Sequence, residues 1–333
     1  MGRYPFMTLI PKYMEDHALT FSPGTAKDRK RCLEWIGRRL EILKEDGCIM
    51  MTNPKRLKRD DALAILNDFK GMNWKQSYLE KMISTLGLFV GYQGNPVFKE
   101  LASARLIPRT PAQPPKSIGR DQLKTLSEGA EKLTGWHGDV ARFLVAIFPS
   151  TGARPSELRM ARYEDLDIMN WTLHIRHPKG EGRYALPRDV PILEEARKAV
   201  LRFLKAREER LAKAGIDTAE PLIPRVKIGK ATYYTVPGFR RMQLSIEAAS
   251  GVDFRWKDMR PIFIQRILDK DPSKLYEAAV LAGHMNPYTT LRYYATIRND
   301  LAIERVQAMM SAPGFNSTQS KLIERKAPIT GYA

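Results

Sequence analysis

Four prolines fall within the eleven residues Ile107–Ser117, IPRTPAQPPKS. Each removes a backbone N–H and fixes φ, so neither a helix nor a central strand can run through this stretch. A chain of 333 residues with 43% hydrophobic content is long enough to bury two cores, one on each side of such a break. The expected organisation is therefore a helical domain over 1–106, a Pro-rich linker over 107–117, a larger domain over 118–311 and a loose polar tail over 312–333.

Charge narrows the function. The 55 Lys and Arg outnumber the 37 Asp and Glu, for a formal net charge of +18. That balance points to a polyanionic partner such as nucleic acid or an acidic membrane surface and puts acidic-protein partners last. Both sides of the break share it: residues 1–110 hold 19 basic and 12 acidic side chains, net +7, and the remainder holds 36 and 25, net +11. Two basic domains on a short extended strap suit the opposite faces of a duplex, where each phosphate contact releases counterions. Only Cys32 and Cys48 occur, too few for a disulfide framework or a cysteine metal site. No apolar run reaches the roughly 20 residues that span a bilayer. The expected location is the cytoplasm, in association with the nucleoid, with no membrane partner.

Before the break the periodicity is helical only. Apolar residues recur at helical spacing over Thr25–Leu43, Asp60–Phe69 and Trp74–Val90, and about four helices are expected in all. Arg29, Lys30, Arg31, Arg38 and Arg39 crowd one helix, and Lys55, Arg56, Lys58 and Arg59 crowd the loop before the next. Singly, each suits a solvated face; as clusters they suit phosphate contacts. After the break, helices are expected over Arg120–Lys132, Asp139–Phe148, Arg154–Tyr163, Leu193–Ala214, Phe239–Ala249, Trp256–Lys270, Lys274–Leu281 and Thr289–Tyr294. Short strands are expected over Asp165–Asp167, Trp171–Arg176 and Arg183–Pro187. The fold class is mainly α with a small β-sheet.

Several chemistries leave recognisable spacings, and no Walker A loop, HExxH pair or GxSxG elbow is present. The five histidines are dispersed, and no metal or other cofactor is expected. The informative stretch is Ser150-Thr151-Gly152-Ala153-Arg154-Pro155-Ser156-Glu157-Leu158, a turn feeding a helix. A guanidinium beside the free N–H groups of a helix start suits phosphate oxygens. The plain alternative is a structural Arg154–Glu157 pair.

Residues 151–158 read T-G-x-R-x-x-E-L, and here the chain resembles the tyrosine recombinase (phage integrase) family. The segment Ile175–Arg183, closed by Val190-Pro191-Ile192, resembles the hairpin that carries that family's lysine, which falls on Lys179. Lys257-Asp258-Met259-Arg260 resembles the third box, with Lys257 where histidine is usual. Gly283-His284 and Thr289-Thr290-Leu291-Arg292-Tyr293 resemble the Gly-His turn and the nucleophile helix, Tyr293 lying nine residues after His284. The likeness covers about residues 118–300, with a weaker echo in the helical domain, which in this family binds the DNA core site.

The resemblance implies a site-specific recombinase that needs neither metal nor ATP. Tyr293 would attack the scissile phosphate to give a 3′-phosphotyrosine, which stores the bond energy for rejoining. Arg154 and Arg260 would hold the non-bridging oxygens, His284 would bond a phosphate oxygen, and Lys179 would protonate the departing 5′ oxygen. Glu157 would orient the arginines or Lys257. Lys257 would accept the tyrosine proton, or else serve only as a phosphate contact. Adjacent residues point about 100° apart on a helix, so Tyr294 competes with Tyr293 and loses on interval. The implied partners are double-stranded DNA with a specific core site and three further copies of the chain, in a homotetramer on DNA. The apolar stripe Ala302, Ile303, Val306, Met309 and Met310 on segment 300–310 would either fold back or be exchanged between copies. A type IB topoisomerase-like nicking monomer and an architectural DNA-binding protein with vestigial boxes remain as alternatives. Integration of a viral genome, excision and chromosome-dimer resolution are equally open.

Overall fold

The structure is a computed structural model and describes residues 5–108, 116–178, 185–284, 286, 288–291 and 299–311. It divides into two compact units, 1–113 and 114–333, with the boundary inside the proline stretch, whose residues 109–115 lie outside the described ones. The tail 312–333 also lies outside them. No helix among the described residues is long and apolar enough to cross a membrane.

The first unit has five α-helices among the described residues: α1 (Pro5–Asp16), α2 (Pro23–Glu45), α3 (Arg59–Gly71), α4 (Gln76–Tyr92) and α5 (Val97–Ser103). Ser22 caps α2 by accepting the Thr25 N–H at 3.3 Å, and Pro23 follows at the first position, where its missing donor costs nothing. Helix α1 was not among the expected elements. It carries Pro11, a helix-breaking signal, yet buries Phe6, Ile10 and Tyr13 on one face. Phe6 reaches Phe89 of α4 at 4.8 Å between ring centroids, and this packing overrides the local propensity.

The second unit is built around α7 (Gly135–Thr151), a helix so apolar that it can only be interior: Phe143, Leu144, Ile147 and Phe148 are wholly buried. Helices α6 (Arg120–Glu131), α9 (Glu194–Ala212), α10 (Val236–Ser250) and α11 (Arg260–Lys270) pack around it. Phe143 stacks on Phe203 of α9 at 4.1 Å, and Phe148 stacks on Trp256 at 4.9 Å. A three-stranded antiparallel sheet, β1 (Leu166–Asp167), β2 (Thr172–Ile175) and β3 (Arg188–Pro191), lies in that order, with Ile175 opposite Arg188 and Leu173 opposite Val190.

Two expectations need correction here. The returning strand is Arg188–Pro191, not Arg183–Pro187: Pro187 has no N–H for the ladder, whereas Val190 places an apolar side chain in the core opposite Leu173. The helix expected over Arg154–Tyr163 is only α8 (Pro155–Arg159), after which the chain turns into a 3₁₀ segment at Tyr163–Asp165. A hairpin of β4 (Arg225–Lys227) and β5 (Lys230–Thr232) was not anticipated, since its strands bury no alternating apolar face. Helix α12 (Leu275–Ala282) precedes the Gly283 turn, residues 288–291 are helical, and α13 (Asn299–Ser311) follows.

Candidate active site

The site begins where α7 stops. Gly152 takes a left-handed conformation, φ +62°, and its N–H closes on the Phe148 carbonyl at 3.0 Å. A Cβ there would stand 2.5 Å from Cδ1 of Phe263, so glycine is required both by the turn and by the close approach of α11. The Thr151 hydroxyl donates to the Ile147 carbonyl at 2.8 Å and accepts the Ala153 N–H at 3.3 Å, which fixes the exit direction. Arg154 follows in extended conformation as the N-cap residue of α8, rather than as its first residue.

Glu157 then folds back on that cap. Its Oε2 accepts the Arg154 N–H at 2.8 Å and its Oε1 accepts Arg154 Nη1 at 2.7 Å, while the glutamate side chain is completely buried. Arg154 Nη2 donates to the Gly283 carbonyl at 3.1 Å. Arg260, buried at the start of α11, donates from Nη1 to the Gly152 carbonyl at 2.8 Å. Two arginines that are distant in sequence thus flank one turn.

Gly283, φ +63°, ends α12 and delivers His284 beside them. His284 Nδ1 lies 2.8 Å from the hydroxyl of Thr290, a wholly buried side chain. Burial, reinforced by the positive charges of Arg260, Arg154 and Arg188, pushes the imidazole down to about 3, so the ring is neutral at ordinary pH. Burial alone would raise the Glu157 carboxyl, but the charge of Arg188, the Arg154 N–H and the Arg154 guanidinium outweigh it and hold the group below the usual range.

Arg154, Arg260 and His284 line a cleft of about 960 Å³ to which Lys257 and Lys116 also contribute. Lys257 is exposed, on the 3₁₀ turn Trp256–Met259. Arg154, Glu157, Lys257, Arg260 and His284 are therefore brought together, while Lys179 and Tyr293 lie outside the described residues, as does Tyr294. Sequence reasoning missed Arg188, whose guanidinium reaches Glu157 Oε2 at 3.1 Å, and it assigned no role to Thr290. Among the described residues no group of three or more His, Cys, Asp or Glu side chains is placed to hold a metal ion.

The basic residues of the first unit are placed unequally. Lys55, Arg56 and Lys58 are exposed on the turn before α3, and Arg59 is exposed at its first residue. That turn is pinned: Asn95 Nδ2 donates to the carbonyls of Pro54 and Leu57, each at 2.9 Å, and Asp61 accepts the N–H groups of Met50 and Lys58 at 2.7 and 3.0 Å. On α2, Lys30, Arg31 and Arg38 are exposed, and Arg29 donates to the Tyr13 hydroxyl at 3.0 Å. Arg39 is engaged with both oxygens of Asp68, at 2.9 and 2.5 Å.

No family model and no curated protein matches the sequence. Solved structures do match. The chain is similar to a fragment of the Tn1549 transposon integrase in complex with transposon right-end DNA, at 18% identity over 92% of this chain and 100% of that one, TM-score 0.63. The XerH site-specific recombinase bound to a palindromic difH substrate matches at 16% identity over 92% and 84%, TM-score 0.62. A lambda integrase dimer bound to a core site matches at 14% over 86% and 76%, TM-score 0.56. The chain thus shares its fold, mainly helical with a small antiparallel sheet, with these solved recombinases and integrases.

Proposed function

We propose that this protein is a site-specific DNA recombinase that cleaves and rejoins duplex DNA through a 3′-phosphotyrosine at Tyr293. One observation carries the reading: Arg154, Arg260 and His284, far apart in sequence, line one cleft, with Arg154 held by the buried carboxylate of Glu157. That is a site for a phosphate. Arg154 and Arg260 take the two non-bridging oxygens of the scissile phosphate, and their fixed charge stabilises the pentavalent transition state; donors of this kind are each worth about 10² to 10³ in rate. With the Thr290 hydroxyl, 2.8 Å away, as donor to His284 Nδ1, the imidazole hydrogen sits on Nε2 for a third phosphate bond. A ring already neutral can donate there without adding a further charge to the cluster.

Tyr293 attacks while Lys257 at the cleft, as the neutral amine, receives its proton, and Lys179, as the ammonium, protonates the 5′ oxygen as it leaves. The phosphotyrosine retains the bond energy, so a second 5′ hydroxyl can displace the tyrosine without a cofactor. The exposed basic turn of the first unit, Lys55 to Arg59, contacts phosphates flanking the core site, in keeping with the net charge of +18. Strand exchange requires two duplexes and hence a tetramer on DNA. The half-exposed apolar row Ile303, Val306, Met309 and Met310 of α13 supports docking of this helix on another copy.

The decisive experiment traps the covalent adduct on a nicked suicide duplex in the presence of EDTA, and maps the modified peptide. Wild type should form the adduct at Tyr293, and Tyr293→Phe should form none while binding DNA with unchanged affinity. An adduct at Tyr294 would move the nucleophile. Relaxation of plasmids by monomers, without preference for sequence, would replace the recombinase reading with a topoisomerase.

A further inference from the structure

The second partner of Glu157 is not one of the residues that touch phosphate in the reading above. Arg188 opens β3, and its side chain, only 10% exposed, lies deeper than that of Arg154 at 23%. Its Nη2 donates to Glu157 Oε2 at 3.1 Å, its Nη1 lies 3.5 Å from Oε1, and its Nε donates to the Leu281 carbonyl at 2.9 Å. The guanidinium carbon sits 2.9 Å from where a Cβ on Gly283 would stand. One planar cation thereby touches the buried glutamate and the backbone on which the Gly283–His284 turn is built.

We propose that Arg188 is a positioning residue of the cleavage site, setting the orientation of Arg154 through Glu157 and the height of His284 through the Leu281 carbonyl. Arg154 and Arg188 compete for the lone pairs of Glu157. A carboxylate with a single arginine neighbour forms a two-pronged pair with it. Here Arg188 occupies one side of Glu157, so Arg154 gives the glutamate only Nη1 and its backbone N–H, and Nη2 is left to reach the Gly283 carbonyl. The Arg154 plane is then fixed at both ends, by the glutamate and by the turn that carries His284. Without Arg188, Glu157 is free to take Arg154 in a full fork and draw it away from the cleft. Arg188 also joins the site to the sheet, since it pairs with Ile175 of β2 in the ladder. The depth of Arg188 argues against direct contact with DNA, so its effect must pass through the residues it holds. Misplacement of a phosphate ligand by about 1 Å is enough to slow a reaction by about 10²-fold.

This inference rests on the recombinase reading, and the test separates the two. Single-turnover cleavage of the suicide duplex and half-site affinity are measured for the full chain, for Arg188→Met, Arg188→Lys and Glu157→Gln, and for the Met/Gln double variant. Arg188→Met should cleave about 10²-fold more slowly with affinity within about twofold of wild type. In the Glu157→Gln background the same change should cost about tenfold or less, because the route through Glu157 is already altered and only that through the Leu281 carbonyl remains. Arg188→Lys keeps the charge and the packing stem but loses the fork. It should fold as wild type does and cleave about tenfold more slowly, and it carries the test if the methionine variant does not fold. Wild-type cleavage by either single variant overturns the proposal; so does loss of affinity in step with rate, or full multiplication of the losses in the double variant. If wild type itself forms no adduct, the recombinase reading fails and this inference fails with it.

Discussion

Arg260 donates to the carbonyl of Gly152 across 108 positions of sequence, at 2.8 Å. That carbonyl belongs to the turn at the C-terminal end of α7, where helix carbonyls lack partners and the dipole is negative, so a cation is favoured there before any substrate arrives. The same guanidinium then faces the cleft already held by the protein.

Gly152→Ala tests this junction. The left-handed backbone and the 2.5 Å approach of Phe263 both oppose a Cβ. A loss of about 2 to 4 kcal/mol in urea unfolding is expected, together with slower cleavage, because Arg260 and Arg154 sit on either side of the turn. A change below about 0.5 kcal/mol would remove the steric account.

The state of His284 gives stability a pH dependence of known sign. Its folded value, about 3, lies below the 6.5 of a free imidazole, so between those limits the unfolded chain binds a proton that the folded chain refuses. The contribution is whole above pH 6.5 and is lost as pH falls towards 3. Comparing urea unfolding at pH 7 and 4.5, wild type should lose on the order of 2 kcal/mol more than His284→Gln. Equal losses in the two proteins would count against a neutral, buried ring.

In the first unit, neutralising Lys55, Arg56, Lys58 and Arg59 together should weaken half-site binding uniformly across DNA sequences and flatten its salt dependence by roughly 0.9 per phosphate contact removed. Arg39→Met should behave differently, lowering stability by about 1 to 3 kcal/mol with little change in the salt slope, because Arg39 is spoken for by Asp68. If Arg39→Met shifts the slope as much as a residue of the turn does, that distinction is wrong.

Truncation after Ile297 removes α13 with its exposed apolar row. Binding of one copy to a half-site should persist, while cooperative assembly on a full site and strand exchange should disappear in gel-shift and recombination assays. Normal recombination by the truncated chain would rule out exchange of this helix between copies.

The cleft was legible where its chemistry is local. Gly152, Arg154 and Glu157 sit within one turn, so their spacing grouped them, whereas Gly283-His284 and Arg260 joined them only through the resemblance to the recombinase boxes. Arg188 was hidden because its partners, Glu157 and Leu281, lie 31 and 93 positions away, and because the returning strand was expected to end just before it. Thr290 stood inside a motif, but its bond to His284 depends on how the chain bends after α12, which periodicity does not report. Helix α1 was missed for the opposite reason: a proline spoke against the helix locally, and only burial of Phe6 and Tyr13 against the other helices decides for it.

The turn carrying Lys55 to Arg59 concentrates four cations that repel one another, and such a segment left alone would spread. Its span from Pro54 to Leu57 is held by an amide, Asn95, which has no charge of its own. The buried carboxylate of Asp61 pins only the two ends, through the N–H groups of Met50 and Lys58. Between them the stretch that carries Lys55 and Arg56 is clamped without a charge, so the turn meets a polyanion already in form.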